Sequence, residues 1–186
     1  KDFCYFLLFM KEVKLTKTSI FHQDLSSLSK LDNKKLKIDC IVFYETYEGE
    51  FGYDKDIEIP NDQQVDWLSD HMRHHFDFHY NRALQQCLPH TLLINDPNEG
   101  TVLRSHNLYL QDISKTPEII GIYFVEADEK DEIIFHYDDH IQKDLMWRMP
   151  IKSKKFVLFH SSLKYYLPPN PSKKKRIALL FHYQVR

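Results

Sequence analysis

Four histidines crowd residues 71–79: His71, His74, His75 and His79. On a helix, His71, His75 and His79 would fall on one face, and an i,i+4 pair of imidazoles can hold zinc or nickel. No glutamate completes an H-E-x-x-H arrangement, which excludes a metalloprotease of that kind. The plainer reading is a polar flank of an amphipathic helix beside Leu68, Met72 and Phe76. A second concentration is the basic run Lys173-Lys174-Lys175-Arg176, read as a solvated turn or as a localisation or nucleic-acid patch. Arg176 differs from its neighbours because it opens an apolar strand and alternates with Ala178, Leu180 and His182. If that face points inward, Arg176 is an anion-binding or structurally paired residue in a cavity. Tyr123, Tyr165, Tyr166 and His182 are candidate lining residues of the same cavity, or core aromatics. Cys4, Cys40 and Cys87 make no metal or disulfide pattern, which suits a reducing compartment and a cytoplasmic protein.

These residues need elements to hold them. The chain has 186 residues, 28% charged and 42% hydrophobic, with a net charge of −2. That is one domain with an ordinary core, neither disordered nor membrane-embedded, and without the charge that nucleic acid would ask for. The apolar segment at residues 3–9 is too short to span a bilayer and lacks a cleavage site, so it reads as a first strand or an upstream extension. A strand follows at 13–20, a helix at 23–37 from the spacing of Leu25, Leu28 and Leu31, and a β-branched and aromatic strand at 38–47. Residues 48–60 read as an acidic loop. The best helix starts at Asn61 or Asp62 and runs to about 88, where Pro89 stops it. From there the period is that of strands: 91–94, 101–110, 119–125, 132–137, 155–159 and 176–183. Helices first and short strands afterwards argue for a sandwich or barrel, with residues 1–90 flanking a core at 91–186.

Five segments of that second half stand in a meaningful order. Leu93-Ile94-Asn95-Asp96 with Gly100 is followed by Arg104-Ser105-His106-Asn107-Leu108, and then by Ile120-Gly121-Ile122-Tyr123-Phe124-Val125. Next come Ile133-Ile134-Phe135-His136-Tyr137-Asp138 and Phe159-His160-Ser161-Ser162-Leu163-Lys164-Tyr165-Tyr166-Leu167-Pro168-Pro169-Asn170, closed by Arg176 and its apolar strand. The series resembles the 2-oxoglutarate/iron(II) dioxygenases, especially a small phage and marine-bacterial branch, over roughly residues 91–186. The resemblance implies a double-stranded β-helix (jelly-roll) core with N-terminal helices packed on it, and iron(II) and 2-oxoglutarate as cofactors.

Such an enzyme holds iron by two histidines and a carboxylate on one face, leaving positions for 2-oxoglutarate and oxygen. An arginine pairs bidentately with the far carboxylate of 2-oxoglutarate. By resemblance His106 is the first metal ligand or its partner. Its companion is Leu108 in one register and Arg104 in the other. The distal histidine falls on Tyr165, and Arg176 keeps the cosubstrate position. One imidazole cannot hold iron(II) against water, and tyrosinate suits ferric iron better. The resemblance therefore implies oxygenase ancestry with impaired or lost iron binding. Two other readings stand beside it: a non-catalytic jelly-roll binding or structural protein, in a virion if phage-derived, and a cupin-like metal protein using another histidine set. His136-x-Asp138 with His160 is such a set; the plainer reading of His136, Asp138, Asp139 and His140 is a polar loop. The motifs name no substrate.

Overall fold

A computed structural model describes residues 11–15, 18–47, 57–59, 62–104, 116–140 and 143–186. The expected strand at residues 3–9 and most of the acidic loop lie outside them. The chain opens with a hairpin of β1 (Lys11–Leu15) and β2 (Thr18–Asp24), Val13 opposite Ile20. Helix α1 then spans Asn33–Tyr47, which reverses the expected helix at 23–37 and strand at 38–47. Leu25, Leu28 and Leu31 are buried, but from turns rather than a helix: the Leu25 N–H donates to the Lys154 carbonyl and the Leu28 N–H to that of Leu25. The β-branched residues of α1 are tolerated because packing, not propensity, decides. Leu36 and Cys40, one turn apart, are buried, while Ile38 and Val42 are exposed. The Asp32 carboxylate accepts from the Lys35 N–H and caps the first turn.

After β3 (Ile57–Glu58) comes α2 (Gln63–Tyr80). Asp62 caps it by accepting from the Gln64 and Val65 N–H groups, and Asn81 ends it at φ 52° in the left-handed region. The helix therefore stops well short of position 88, and residues 84–86 form β4 (Leu84–Gln86) instead.

The remaining strands are β5 (Thr91–Asn95), β6 (Ile119–Glu126), β7 (Glu132–His140), β8 (Lys143–Pro150), β9 (Lys155–His160), β10 (Lys164–Tyr166) and β11 (Arg176–Val185). They form an eight-stranded sheet in the order β1-β2-β9-β6-β11-β5-β3, with β4 also on β11, and a three-stranded sheet β10-β7-β8. Every pairing is antiparallel. A single bridge joins Arg104 to Tyr165 at the edge of the smaller sheet.

Alternation divides the larger sheet between two cores. Ile120, Ile122 and Phe124 of β6, with Val157, Phe159, Ala178 and Leu180, face the smaller sheet. Tyr123, Val125, Phe156, Leu158, Leu179 and Phe181 face the helices. With both faces covered, the central strands read as continuous apolar runs. Among the described residues no helix is long and apolar enough to cross a membrane.

Candidate functional site

The interior between the two sheets is where a jelly roll keeps its chemistry, and here it is filled with aromatic rings. β10 is three residues long, and pairing fixes its direction: Tyr165 lies opposite Phe135 of β7. Tyr165, Phe135 and Phe159 are each at most 1% exposed. Phe159 meets Tyr165 edge-on with centroids 5.2 Å apart, and Phe135 meets Phe159 at 4.9 Å in the same manner, the geometry aromatic quadrupoles prefer. Leu163, Leu167, Ile133 and Met149 complete the packing. On the open side of β10 the Arg104 N–H donates to the Tyr165 carbonyl (2.7 Å), and the Tyr165 N–H to that of Arg104 (3.0 Å). A directly opposed antiparallel pair puts both side chains on one face, so Arg104 and Tyr165 share the interior face. His106 and Leu108 lie outside the described residues.

Arg176 begins β11 and is 1% exposed. Its guanidinium makes five hydrogen bonds. Nη1 donates to Asp131 Oδ1 (2.6 Å), Nε and Nη2 to Asn95 Oδ1 (3.1 and 2.9 Å), and Nη2 also to the carbonyls of Pro168 (2.8 Å) and Glu99 (3.3 Å). Burial raises the Asp131 carboxyl and lowers the Arg176 guanidinium from their ordinary values, each opposed by its partner. The pair is thus a weak source of stability, yet each member is costly to leave alone.

Two segments are laced around it. Asn170 donates its side-chain amide to the Lys174 and Asn95 carbonyls and its N–H to the Glu99 carbonyl, while the Leu167 N–H donates to Thr101 Oγ1. They approach so closely at Gly100 that a Cβ there would lie 2.7 Å from the Leu167 oxygen and 3.0 Å from two further backbone atoms. Backbone cannot swing aside as a side chain can. Gly100→Ala is expected to cost about 1–3 kcal/mol by this overpacking, read as a lower midpoint of urea unfolding with an unchanged slope.

The other anticipated residues are dispersed. Tyr123 faces the helices, its hydroxyl donating to Asn33 Oδ1 at 2.7 Å. Tyr166 is half-buried on the outer side of the smaller sheet, its ring 5.6 Å from that of His136. His182 is buried farther along β11. The cavity expected to unite Tyr123 with Tyr165 and Tyr166 is therefore divided by the pleat of the strands. His136 and His160 sit on the outer faces of different sheets, because their neighbours Phe135 and Phe159 are the inward residues. His160 is exposed and bonded to Ser162, so the alternative histidine set is not assembled. In the basic turn, Lys175 pairs with Asp96 at 2.6 Å, and Lys173 and Lys174 are exposed.

The helix histidines separate too. His74 is exposed and bonded to the Asp70 carbonyl, but His71 and His75 turn inward, correcting the expected polar flank. Their rings are 4.4 Å apart, both contact Phe156, and Trp67 stacks on His71. Burial first, and neighbouring histidines second, push His71 down to about 3 and His75 to about 4. They are neutral core imidazoles at neutral pH. Among the described residues no three His, Cys, Asp or Glu side chains converge as a metal site.

Sequence reasoning missed Asp131. It stands in the run Asp128-Glu129-Lys130-Asp131-Glu132, which reads as a solvated turn, and only the fold brings it to Arg176. Asn95 was visible as part of a motif but had no assigned role.

The larger sheet carrying flanking strands and helices, opposed by a smaller antiparallel sheet, is the double-stranded β-helix, the fold of the 2-oxoglutarate/iron(II) oxygenases. Solved structures bear this out. The chain superposes on the non-heme alpha-ketoglutarate-dependent carbocyclase SnoK from nogalamycin biosynthesis with a TM-score of 0.65 at 13% identity, covering 88% of this chain and 79% of that one. A Pseudomonas putida prolyl-4-hydroxylase gives 0.61 at 12% identity, covering 90% and 92%. HygX from Streptomyces hygroscopicus, solved with nickel and 2-oxoglutarate bound, gives 0.59 at 10% identity, covering 89% and 82%. No family model matches the chain, and no curated protein does.

Proposed function

We propose that this chain is an oxygenase-like jelly roll that does not use iron(II) and 2-oxoglutarate, and serves as a binding or structural module. The observation that carries this is the engagement of Arg176 by Asp131. A cosubstrate carboxylate would have to displace that of Asp131 and leave it buried without its cation. Stranding one member of a buried pair costs about 3–5 kcal/mol, which removes roughly two to three and a half orders of magnitude from the affinity.

The metal position fits no better. Tyr165 stands where the resemblance puts the distal histidine, and its ring is packed against Phe159 rather than turned to an open site. Arg104, always cationic, sits directly across from it, and a guanidinium repels a dication. Among the described residues nothing offers iron(II) two imidazoles and a carboxylate.

The reading is tested by restoring what was exchanged. Tyr165→His combined with Leu108→Asp, or with Arg104→His, is expected to create cobalt(II) binding, seen as visible absorption absent from the unaltered chain. No gain in either combination would show that Tyr165 does not stand at a vacated ligand position.

A further inference from the structure

A second recess is lined by neither Tyr165 nor Arg176. The face of β2 that sends Ile20 into the core also carries His22 and Asp24, and there the cover ends: His22 is half-buried and Asp24 exposed. The result is a cleft of about 720 Å³. Leu28 and Ile151, both buried, lie along it with Pro150, and Lys11, Lys152 and Lys155 surround it. Lys11 is directly opposite His22, and Lys155 directly opposite Asp24.

Of the two acids that line the cleft, Asp24 is committed to other partners and Glu129 stands at the solvent edge. Asp24 accepts the Ser26 N–H and hydroxyl on Oδ1 and the Lys152 ammonium on Oδ2 at 2.5 Å. Glu129, on the rim, is exposed and makes no ion pair among the described residues. That leaves Lys155, 8% exposed, with one hydrogen bond, to the Pro150 carbonyl. An ammonium has three donors, of which the Pro150 carbonyl takes one, and the carboxylate opposite it, Asp24, gives its own contacts to Ser26 and Lys152. Lys11 adds a second positive charge without an ion pair among the described residues. The field this creates is felt by its neighbours. Burial, then Lys155 and Lys11, push His22 down to about 4, and burial with Lys152 and Lys11 lowers Lys155 against the pull of Asp24. A methionine would pack this wall at no electrostatic cost, so the ammonium asks for a partner from outside.

We propose that the cleft binds a small organic anion, its carboxylate or phosphate head held by Lys155 and Lys11 and its apolar body laid on Leu28 and Ile151. The proposal is independent of whether the jelly-roll interior binds iron. The test is titration of the full 186-residue chain at constant ionic strength with phenyl phosphate, benzoate and inorganic phosphate, followed by amide NMR shifts. Saturable shifts confined to β2, residues 25–28 and residues 150–155 are expected with phenyl phosphate or benzoate. The tighter of the two identifies the head group. Binding should weaken at least tenfold in Lys155→Met, whose fold is verified by its unperturbed amide spectrum elsewhere. Lys11→Ser, at an exposed position, should weaken binding several-fold and provides the same test should Lys155→Met fail to fold. The proposal is overturned by the absence of saturable shifts at these residues, by inorganic phosphate binding as tightly as phenyl phosphate, or by unchanged affinity in the lysine variants.

Discussion

Asp131→Asn is expected to lower the unfolding free energy by about 3–5 kcal/mol, a large part of the roughly 5–15 kcal/mol a domain of this kind holds. The change is isosteric, so packing is preserved and charge alone is altered. What remains is the Arg176 guanidinium, 1% exposed, facing amide and carbonyl oxygens with no negative charge beside it. Were Asp131 the solvated turn residue its neighbours suggest, the effect would stay within about 0.5 kcal/mol. The two outcomes are far enough apart for urea unfolding to separate them. A double variant sharpens the point. Asp131→Leu with Arg176→Met removes both charges and should be more stable than Asp131→Asn alone, because a buried pair is worth little net while a stranded charge is expensive. A double variant less stable than Asp131→Asn would mean that Arg176 holds the fold by its hydrogen bonds to Asn95, Glu99 and Pro168 rather than by charge.

The second large effect is acid lability well above the carboxylate range. His75 and His90 are 3% and 1% exposed, and burial pushes each down to about 4 from 6.5. Neither ring nitrogen of His90 has a hydrogen-bond partner among the described residues. The folded state therefore binds fewer protons than the unfolded chain at every pH between those values. The stability contributed by the neutral rings is complete above pH 6.5 and is lost as pH falls toward 4, up to about 3 kcal/mol for each. His71, half-buried against Gln23 and Trp67, moves in the same direction. Urea unfolding at pH 7.5 and at pH 4.5 should show a steep loss. In the His75→Leu, His90→Leu variant the slope should flatten by up to about 2.7 kcal/mol per pH unit, two protons' worth. An unchanged slope would place the titration elsewhere.

The C-terminal half was legible in the sequence. β5, β6, β9 and β11 are apolar runs bounded by turns, and both of their faces are buried, so the pattern and the environment agree. β8 carries the alternation Trp147 and Met149 inward against Met146 and Arg148 outward, which was overlooked, and β10 is too short to show a period. The N-terminal half misled because its signals compete. Ile38 and Val42 favour a strand by type, but they are the exposed positions of a helix held by Leu36 and Cys40. Leucines three apart suggested a helix where successive turns bury them one by one. Of the site, Tyr165 was visible through the family resemblance, and Arg176 through that resemblance and through its place at the start of an apolar strand. Their surroundings were not, because Asp131 reaches Arg176 across 45 positions of chain and Phe135 and Phe159 meet Tyr165 only after two sheets have closed.

The chain folds as a jelly roll of the oxygenase type whose interior is packed with its own side chains. The most direct measurement is the visible absorption of the unaltered protein under anaerobic conditions after addition of iron(II) and 2-oxoglutarate. The occupied interior predicts no charge-transfer band at any concentration of either. A saturable band would contradict it, since it requires iron and the cosubstrate to be held together in the space assigned to Tyr165, Phe159 and Asp131.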